Sequence, residues 1–160
     1  MSEQVIAVSG GAQGFGEAIC RAMAARGWTV AVADLNAQGA AAVAAACNQG
    51  GGMGFPIVVD LATPEGPGDM IEQTIDRAGR LDVLVNCAAV APVEAFLDMT
   101  AQAWERALLI NVRAVALAMA AAGREMAKRN GGRIINVTSA AVRMALPNYT
   151  AYAASKAAVD

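Results

Sequence analysis

The sequence predicts an α/β domain in which helices cover both faces of a parallel sheet. Short, fully apolar runs alternate with longer segments of helical periodicity, and strands buried on both faces read as unbroken apolar runs. With 160 residues, 56 % of them apolar and 16 % charged, the chain can bury a core as one domain, 1–160, and is too apolar for disorder.

The first strand is expected at Gln4–Val8, before a helix near 14–26 that Gly27 would end. A second strand, Thr29–Ala33, leads to a helix near 36–48, where the alanine-rich "AQGAAAVAAAC" is ordinary helix material. The third strand, Phe55–Val59, precedes a helix near 67–78, with Pro67 suited to its first turn and Gly79 to its end. The fourth strand is Asp82–Val85. A long helix over 101–129, closed by Gly131, precedes the fifth strand, Arg133–Thr138, and a further helix starts near Thr150.

Composition narrows the function. The net charge is −2 with no cluster of Lys and Arg, so nothing favours gripping nucleic acid or an anionic membrane. The start, "MSEQVIAVSGG", has no basic region ahead of its apolar segment, unlike a secretory signal. The most apolar run, "ALLINVRAVALAMAAA", is broken by Asn111 and Arg113 and falls short of the roughly 18 residues of a membrane helix. Cys20, Cys47 and Cys87 are odd in number and widely spaced, the pattern of reduced thiols in a cytoplasmic protein. There is no histidine, which removes Ser-His-Asp and Cys-His nucleophiles and most catalytic zinc sites; no metal site is expected. Acid–base work is left to carboxylates, Lys, Tyr or Cys.

A polar residue follows each strand: Ser9 with Gly10, then Asp34, Asp60, Asn86 and Ser139. In an open parallel sheet these five points lie along one edge, the carboxyl ends of the strands, where ligands bind.

Between the first strand and first helix, "SGGAQGFGEAI" supplies Gly10, Gly11, Gly14 and Gly16. Glycines there permit positive φ and let backbone N–H groups approach an anion, although a tight turn alone would also use them. No Lys-Ser or Lys-Thr follows, which argues against a nucleoside-triphosphate loop. Asp34 ends the second strand; a carboxylate there accepts hydrogen bonds from ribose hydroxyls and repels a 2′-phosphate. With no Arg or Lys in "VADLN" and Gln13 in the loop, NAD is favoured over NADP. The alternative, Asp34 as the cap of the second helix, is compatible with the ribose role.

Asn111 falls on the apolar stripe of the long helix marked by Trp104, Leu108, Val115, Ala118 and Ala122. A buried amide needs partners. It is either a structural bond between helices, or a site-facing amide or exposed carbonyl that holds a water. Tyr152 and Lys156 are four apart and share a helix face, a spacing common on any surface. Ser139, 13 residues before Tyr152 at the ligand edge, gives the pair more meaning.

Taken together, "SGGAQGFG", Asp34, Asp60, "NCAA", Asn111, Ser139 and "YAASK" resemble the short-chain dehydrogenase/reductase family in order and spacing along the entire chain. The resemblance implies a doubly wound, Rossmann-type sheet, with five of the family's usual strands present, and a nicotinamide-dependent oxidoreductase acting on a secondary alcohol or ketone. It implies that Tyr152 is the acid or base toward the substrate oxygen, and that Lys156 favours its ionised form and holds the nicotinamide ribose. Ser139 would bond the substrate oxygen, and Asn111 would anchor a water. Cofactor contacts would come from Ser9, Gly10, Gly14, Phe15, Gly16, Asp34, Leu35, Asp60, Leu61, Asn86 and Ala88, with Tyr152 and Lys156. Asp60 and Leu61 would border the adenine. Nucleotide-sugar epimerases share the Tyr–Lys pair, but their G-x-x-G-x-x-G turn is not this loop.

Two departures stand out. The family's usual N-N-A-G is here Asn86-Cys87-Ala88-Ala89, and the Ala89 methyl enters where the cofactor ribose packs; Ser9 stands where threonine is commoner. Family members also continue the Tyr–Lys helix, add two strands and a substrate lid, and commonly dimerise through that helix and the long one. The chain is therefore expected to be a truncated form, with the fifth strand an open edge and weak or absent activity in isolation. The alternative is a cofactor-binding or interaction protein without catalysis, or a fragment that folds against a partner. Val142, Met144 and Tyr149 remain as substrate walls, which fit sugars, polyols or hydroxy-acyl groups.

Overall fold

A computed structural model describes residues 4–129 and 131–160. Five parallel strands form one sheet in the order β3-β2-β1-β4-β5: β1 (Val5–Ser9), β2 (Thr29–Asp34), β3 (Met53–Val58), β4 (Val83–Asn86) and β5 (Arg133–Asn136). The strand order reverses between β1 and β4, and this switch point opens a crevice at the carboxyl edge. The fold is the doubly wound Rossmann type.

Strand alternation divides the core. Ile6, Val8, Val30, Val32, Val83 and Val85 point to one face, against Cys20 and Ala24 of α1 (Gly14–Ala24) and Ala40, Val43, Ala44 and Cys47 of α2 (Ala37–Gln49). Ala7, Ala31, Ala33 and Leu84 point to the other. They meet Met70 and Ile71 of α3 (Gly66–Ala78), and Ala118, Ala122 and Met126 of a long helix. Small side chains bring those helices close to the sheet, which is where the alanine-rich composition goes.

The expected strands are present with shifted ends. β3 begins at Met53, two residues early, and tolerates Pro56 because it is an edge strand. β5 stops at Asn136: Val137 still donates its N–H to the Asn86 carbonyl, but Thr138 leaves the ladder. Gly79 ends α3 in the left-handed region at φ 72°, and Gly27 and Gly131 return their N–H groups to Ala24 and Met126. Pro67 lies in the first turn of α3 as expected.

The helix expected over 101–129 is not uniform. It runs as α4 (Ala101–Leu108), one π-helical turn (Leu109–Arg113) and α5 (Ala114–Ala127). Ala101–Ala127 is long and apolar enough to cross a membrane by length and composition, contrary to the sequence reading. Yet Ala107, Asn111, Ala114, Ala118 and Ala122 are buried within the fold. Thr100 caps α4, accepting from the Ala103 N–H. The final helix, α6 (Thr150–Ala157), follows a short 3-10 turn at Ala140–Val142.

Candidate functional site

The loop after β1 is shaped by contacts that only glycine allows. Gly10 has φ +68°, and a Cβ there would lie 2.8 Å from the Ala88 Cα. At Gly16 a Cβ would meet the Gly10 carbonyl oxygen at 2.0 Å. At Gly14, φ +56°, nothing lies within 4 Å, so the loop packs tightly at both ends and faces open space at its tip. Ser9 holds the floor: its buried Oγ accepts from the Cys87 N–H at 3.1 Å and the Ala88 N–H at 3.3 Å, tying β1 to the loop after β4.

Asp34 is fastened to the same loop. Its Oδ2 accepts from the Ala12 N–H at 3.0 Å and its Oδ1 from the Asn36 N–H at 2.9 Å. The helix cap is Asn36, which accepts from the Gly39 N–H, and Asp34 does not perform it. Cap-forming residues two apart compete, and the one whose side chain reaches the third N–H of the helix wins.

A cleft of about 380 Å³ opens above these groups. Gly10, Gly14, Phe15, Gly16, Asp34, Leu35, Asp60, Leu61 and Ala88, all named from the sequence, line it. Cys87, Val90, Arg106 and Ile110 line it too. The last three carry no motif; Ile110 precedes Asn111, which was the only available pointer. Asn86 does not line the cleft: its buried amide donates to the Asn136 Oδ1 across β4 and β5 at 2.9 Å. Asp60 spends one oxygen on the Ala62 N–H. A larger groove of about 540 Å³, between α3 and α5, holds Glu65, Asp69, Glu72, Asp76 and Glu125 but none of the groups picked out in the sequence.

Ser139, Tyr152 and Lys156, also picked out in the sequence, follow β5 and are not among the residues lining the cleft. Ser139 turns the chain into the 3-10 segment, its Oγ accepting from the Ala141 N–H at 3.2 Å. Tyr152 is half-buried in the first turn of α6, and its ring meets that of Tyr149 edge-on, centroids 6.1 Å apart. Tyr149 follows Asn148, held at φ 68°, whose carbonyl accepts from the Glu94 N–H at 3.0 Å. Lys156 is 4 % exposed and donates from Nζ to the Val137 carbonyl at 2.6 Å. Burial pushes its ammonium below the ordinary lysine value, with the nearby Cys87 thiolate acting in the opposite sense. Burial likewise raises the Cys87 thiol, against a downward pull from Lys156. This coupling ties the cleft wall at Cys87 to the lysine.

Asn111 is fully buried in the π-turn. Its Oδ1 accepts from the Val90 N–H at 2.9 Å, and its Nδ2 donates to the Val90 carbonyl at 2.8 Å and the Ser155 Oγ at 2.9 Å. Of the alternatives open in the sequence, the side chain is the structural bond, and both of its N–H donors are spent. The neighbouring Arg113 reaches the Ala62 carbonyl after β3, so one π-turn grips two of the loops around the cleft.

The short chain dehydrogenase family matches residues 4–160. D-threitol dehydrogenase of Mycolicibacterium smegmatis is 38 % identical over 156 residues, covering 96 % of this chain and 59 % of its own length. Acetoin dehydrogenase of Salmonella typhimurium superposes with a TM-score of 0.92 at 35 % identity, over 98 % of this chain and 63 % of that one. An NAD⁺-bound xylitol dehydrogenase gives 0.93 at 27 % identity, over 98 % and 60 %. The chain thus spans about three-fifths of the length of these relatives. A family match over nearly every residue, on a five-stranded sheet with its cleft at the β1–β4 switch point, makes this chain a member of the short-chain dehydrogenases.

Proposed function

We propose that the chain carries the cofactor cleft and proton-handling helix of an oxidoreductase that moves a hydride between a nicotinamide cofactor and a secondary alcohol or ketone. The observation that carries this reading is the cleft lined by Gly10, Gly14 and Asp34, with the buried Lys156 near enough to Cys87 of its wall to influence it electrostatically.

The residues fit a dinucleotide. Space at Gly14 admits a pyrophosphate against the first N–H groups of α1. Each Asp34 oxygen spends one bond on the backbone and retains a lone pair for a ribose hydroxyl, and the charge disfavours a 2′-phosphate, so NAD is preferred to NADP. Leu35, Asp60 and Leu61 would border the adenine and Phe15 the rim, while Ser9 and Asn86 would act from beneath by holding the floor. The bound cofactor would supply the hydride acceptor or donor.

Tyr152 would hold or release the proton at the substrate oxygen, an acid–base role worth about 10²–10⁴ in rate. Ser139 would hydrogen-bond that oxygen, and the Lys156 ammonium would favour the ionised phenol and hold the ribose. With its amide committed, Asn111 could hold a water only through its backbone carbonyl. The relatives' names favour a small polyol or hydroxyketone as substrate. A second copy is the expected partner: α5 turns Leu117 and Met119 outward beside exposed Ala116 and Ala120, a face suited to helix pairing. A cytoplasmic setting fits the three cysteines, which are free thiols among the described residues.

The test is a fluorescence titration with NADH and NADPH beside turnover on a panel of diols and hydroxyketones. NADH should bind more tightly than NADPH, and Tyr152→Phe should abolish turnover while retaining NADH binding. Equal turnover in the two proteins refutes the tyrosine's role. NADH binding without turnover in the wild type favours a non-catalytic binding protein.

A further inference from the structure

Ser155 lies between the two residues most readily noticed in its helix, and it is fully buried. Its hydroxyl donates to the Tyr152 carbonyl at 2.7 Å, while its oxygen accepts from the Asn111 amide at 2.9 Å. Asn111 in turn clasps both backbone groups of Val90, which lines the cleft. The result is a directional chain from Val90 through Asn111 and Ser155 to Tyr152. Both amide hydrogens of Asn111 and the one hydroxyl hydrogen of Ser155 are used. A flipped amide would set its NH₂ against the Val90 N–H, so the polarity of the chain has one sense.

Side-chain hydrogen bonds tie the helix that carries Tyr152, α6, to its surroundings on two sides. Lys156 fixes it toward β5 through Val137. The Ser155 chain fixes it in the other direction, toward the cleft wall, and the contact falls on the backbone of the tyrosine itself. We infer that Ser155 is a positioning residue that sets Tyr152 against the cleft wall by way of Asn111 and Val90. The inference rests on the reading that Tyr152 exchanges the proton with the substrate oxygen, but its geometric content stands apart from turnover.

Ser155→Ala removes the hydroxyl and leaves one Asn111 N–H without its acceptor. A misplacement of about 1 Å at a reacting group costs about 10²-fold in rate. The expected result is therefore a loss of about 10- to 100-fold in kcat, with KM and the NADH dissociation constant within about threefold of wild type. Ser155→Thr, which keeps the hydroxyl, should recover most of kcat. A merely structural serine would lower the melting temperature and leave kcat of the folded fraction intact.

A second readout does not depend on turnover. The chain has two tyrosines, so 3-fluorotyrosine labelling gives two fluorine resonances, and Tyr152→Phe assigns them. In Ser155→Ala the Tyr152 resonance should shift or broaden, and in Ser155→Thr it should return toward the wild-type position. If the wild type fails to turn over, or Tyr152→Phe turns over equally, the broader reading fails and the fluorine spectrum alone decides the positioning role. A Tyr152 resonance in Ser155→Ala that coincides with the wild-type one overturns the inference.

Discussion

The Asp34 carboxylate accepts a hydrogen bond from the Ala12 backbone N–H at 3.0 Å, and so the residue ending β2 holds the glycine loop that follows β1. Under the proposed function this one side chain would do two jobs, shaping the glycine turn and presenting negative charge to the adenosine ribose. Asp34→Asn keeps one acceptor but sets an NH₂ group toward one of the two N–H donors, and removes the charge. NADH binding should weaken about tenfold, equivalent to about 1.4 kcal/mol, while NADPH binding weakens less. The ratio of the two dissociation constants, measured by fluorescence titration, should fall. An unchanged ratio would mean the carboxylate takes no part in cofactor choice.

The glycine loop gives a graded series. At Gly14 an added methyl has open space, so Gly14→Ala should cost only the left-handed backbone, about 1–2 kcal/mol. That corresponds to a fall of about 2–8 °C in melting temperature for a chain of this size. At Gly10 the same backbone cost is joined by contact with Ala88 at 2.8 Å, and at Gly16 the methyl would overlap the Gly10 carbonyl. Thermal melts should therefore rank Gly16→Ala and Gly10→Ala as clearly worse than Gly14→Ala. A Gly14→Ala variant as unstable as the other two would contradict the loop geometry.

Much of this was written in the sequence, for a physical reason. β1 and β2, buried on both faces, show as unbroken apolar runs, and the polar residues that end them, Ser9 and Asp34, mark the carboxyl edge of the sheet. β5, with Ile135 half-exposed on an open sheet edge, has a weaker signature, and its end was placed two residues too far. The π-turn left no trace because one wider turn barely disturbs a helical stripe. Trp104 and Leu108, expected on the buried face of the long helix, are partly exposed, and Ala107 and Ala114 take their places. Asn111 stood out as a polar residue on an apolar stripe, yet its partners lie 21 and 44 residues away at Val90 and Ser155, beyond any local pattern. Asn36 and Asp34 are both good caps, so only the fold could assign one to the helix and the other to the loop.

Thiol reactivity should separate the three cysteines. Cys20 and Cys47 are fully buried, and burial drives the Cys20 thiol up to about 12, with neighbouring thiols adding to the effect. Cys87 is half-buried and lines the cleft. A disulfide reagent such as DTNB should modify one thiol first, identified as Cys87 by mass spectrometry, and NADH should slow that reaction. Cys20 and Cys47 should react only when the chain unfolds. Two fast thiols, or a Cys87 rate indifferent to NADH, would place that residue elsewhere than at the cofactor wall.

Lys156 should leave a mark on the pH dependence of stability. Burial lowers its folded-state pKa below the ordinary 10.5, whereas the unfolded chain holds its proton up to that value. Between the two the unfolded state binds more protons, so this lysine makes stability rise with pH across that window. Below the folded value the full cost of burying the ammonium is present. Cys20 acts in the opposite direction: the unfolded thiol ionises from about 9 while the folded one waits until about 12, so stability falls over that range. Lys156→Met shares the Cys20 contribution with the wild type, so the difference between the two proteins reports the lysine together with its pull on the Cys87 thiol, which acts in the same direction. The stability of wild type relative to Lys156→Met, from urea unfolding at successive pH values, should increase as pH climbs toward 10.5 and level off above it. A difference that is flat with pH, or that falls, would show that the ammonium keeps its solvent-like affinity for the proton and is not the desolvated charge seen beside Val137.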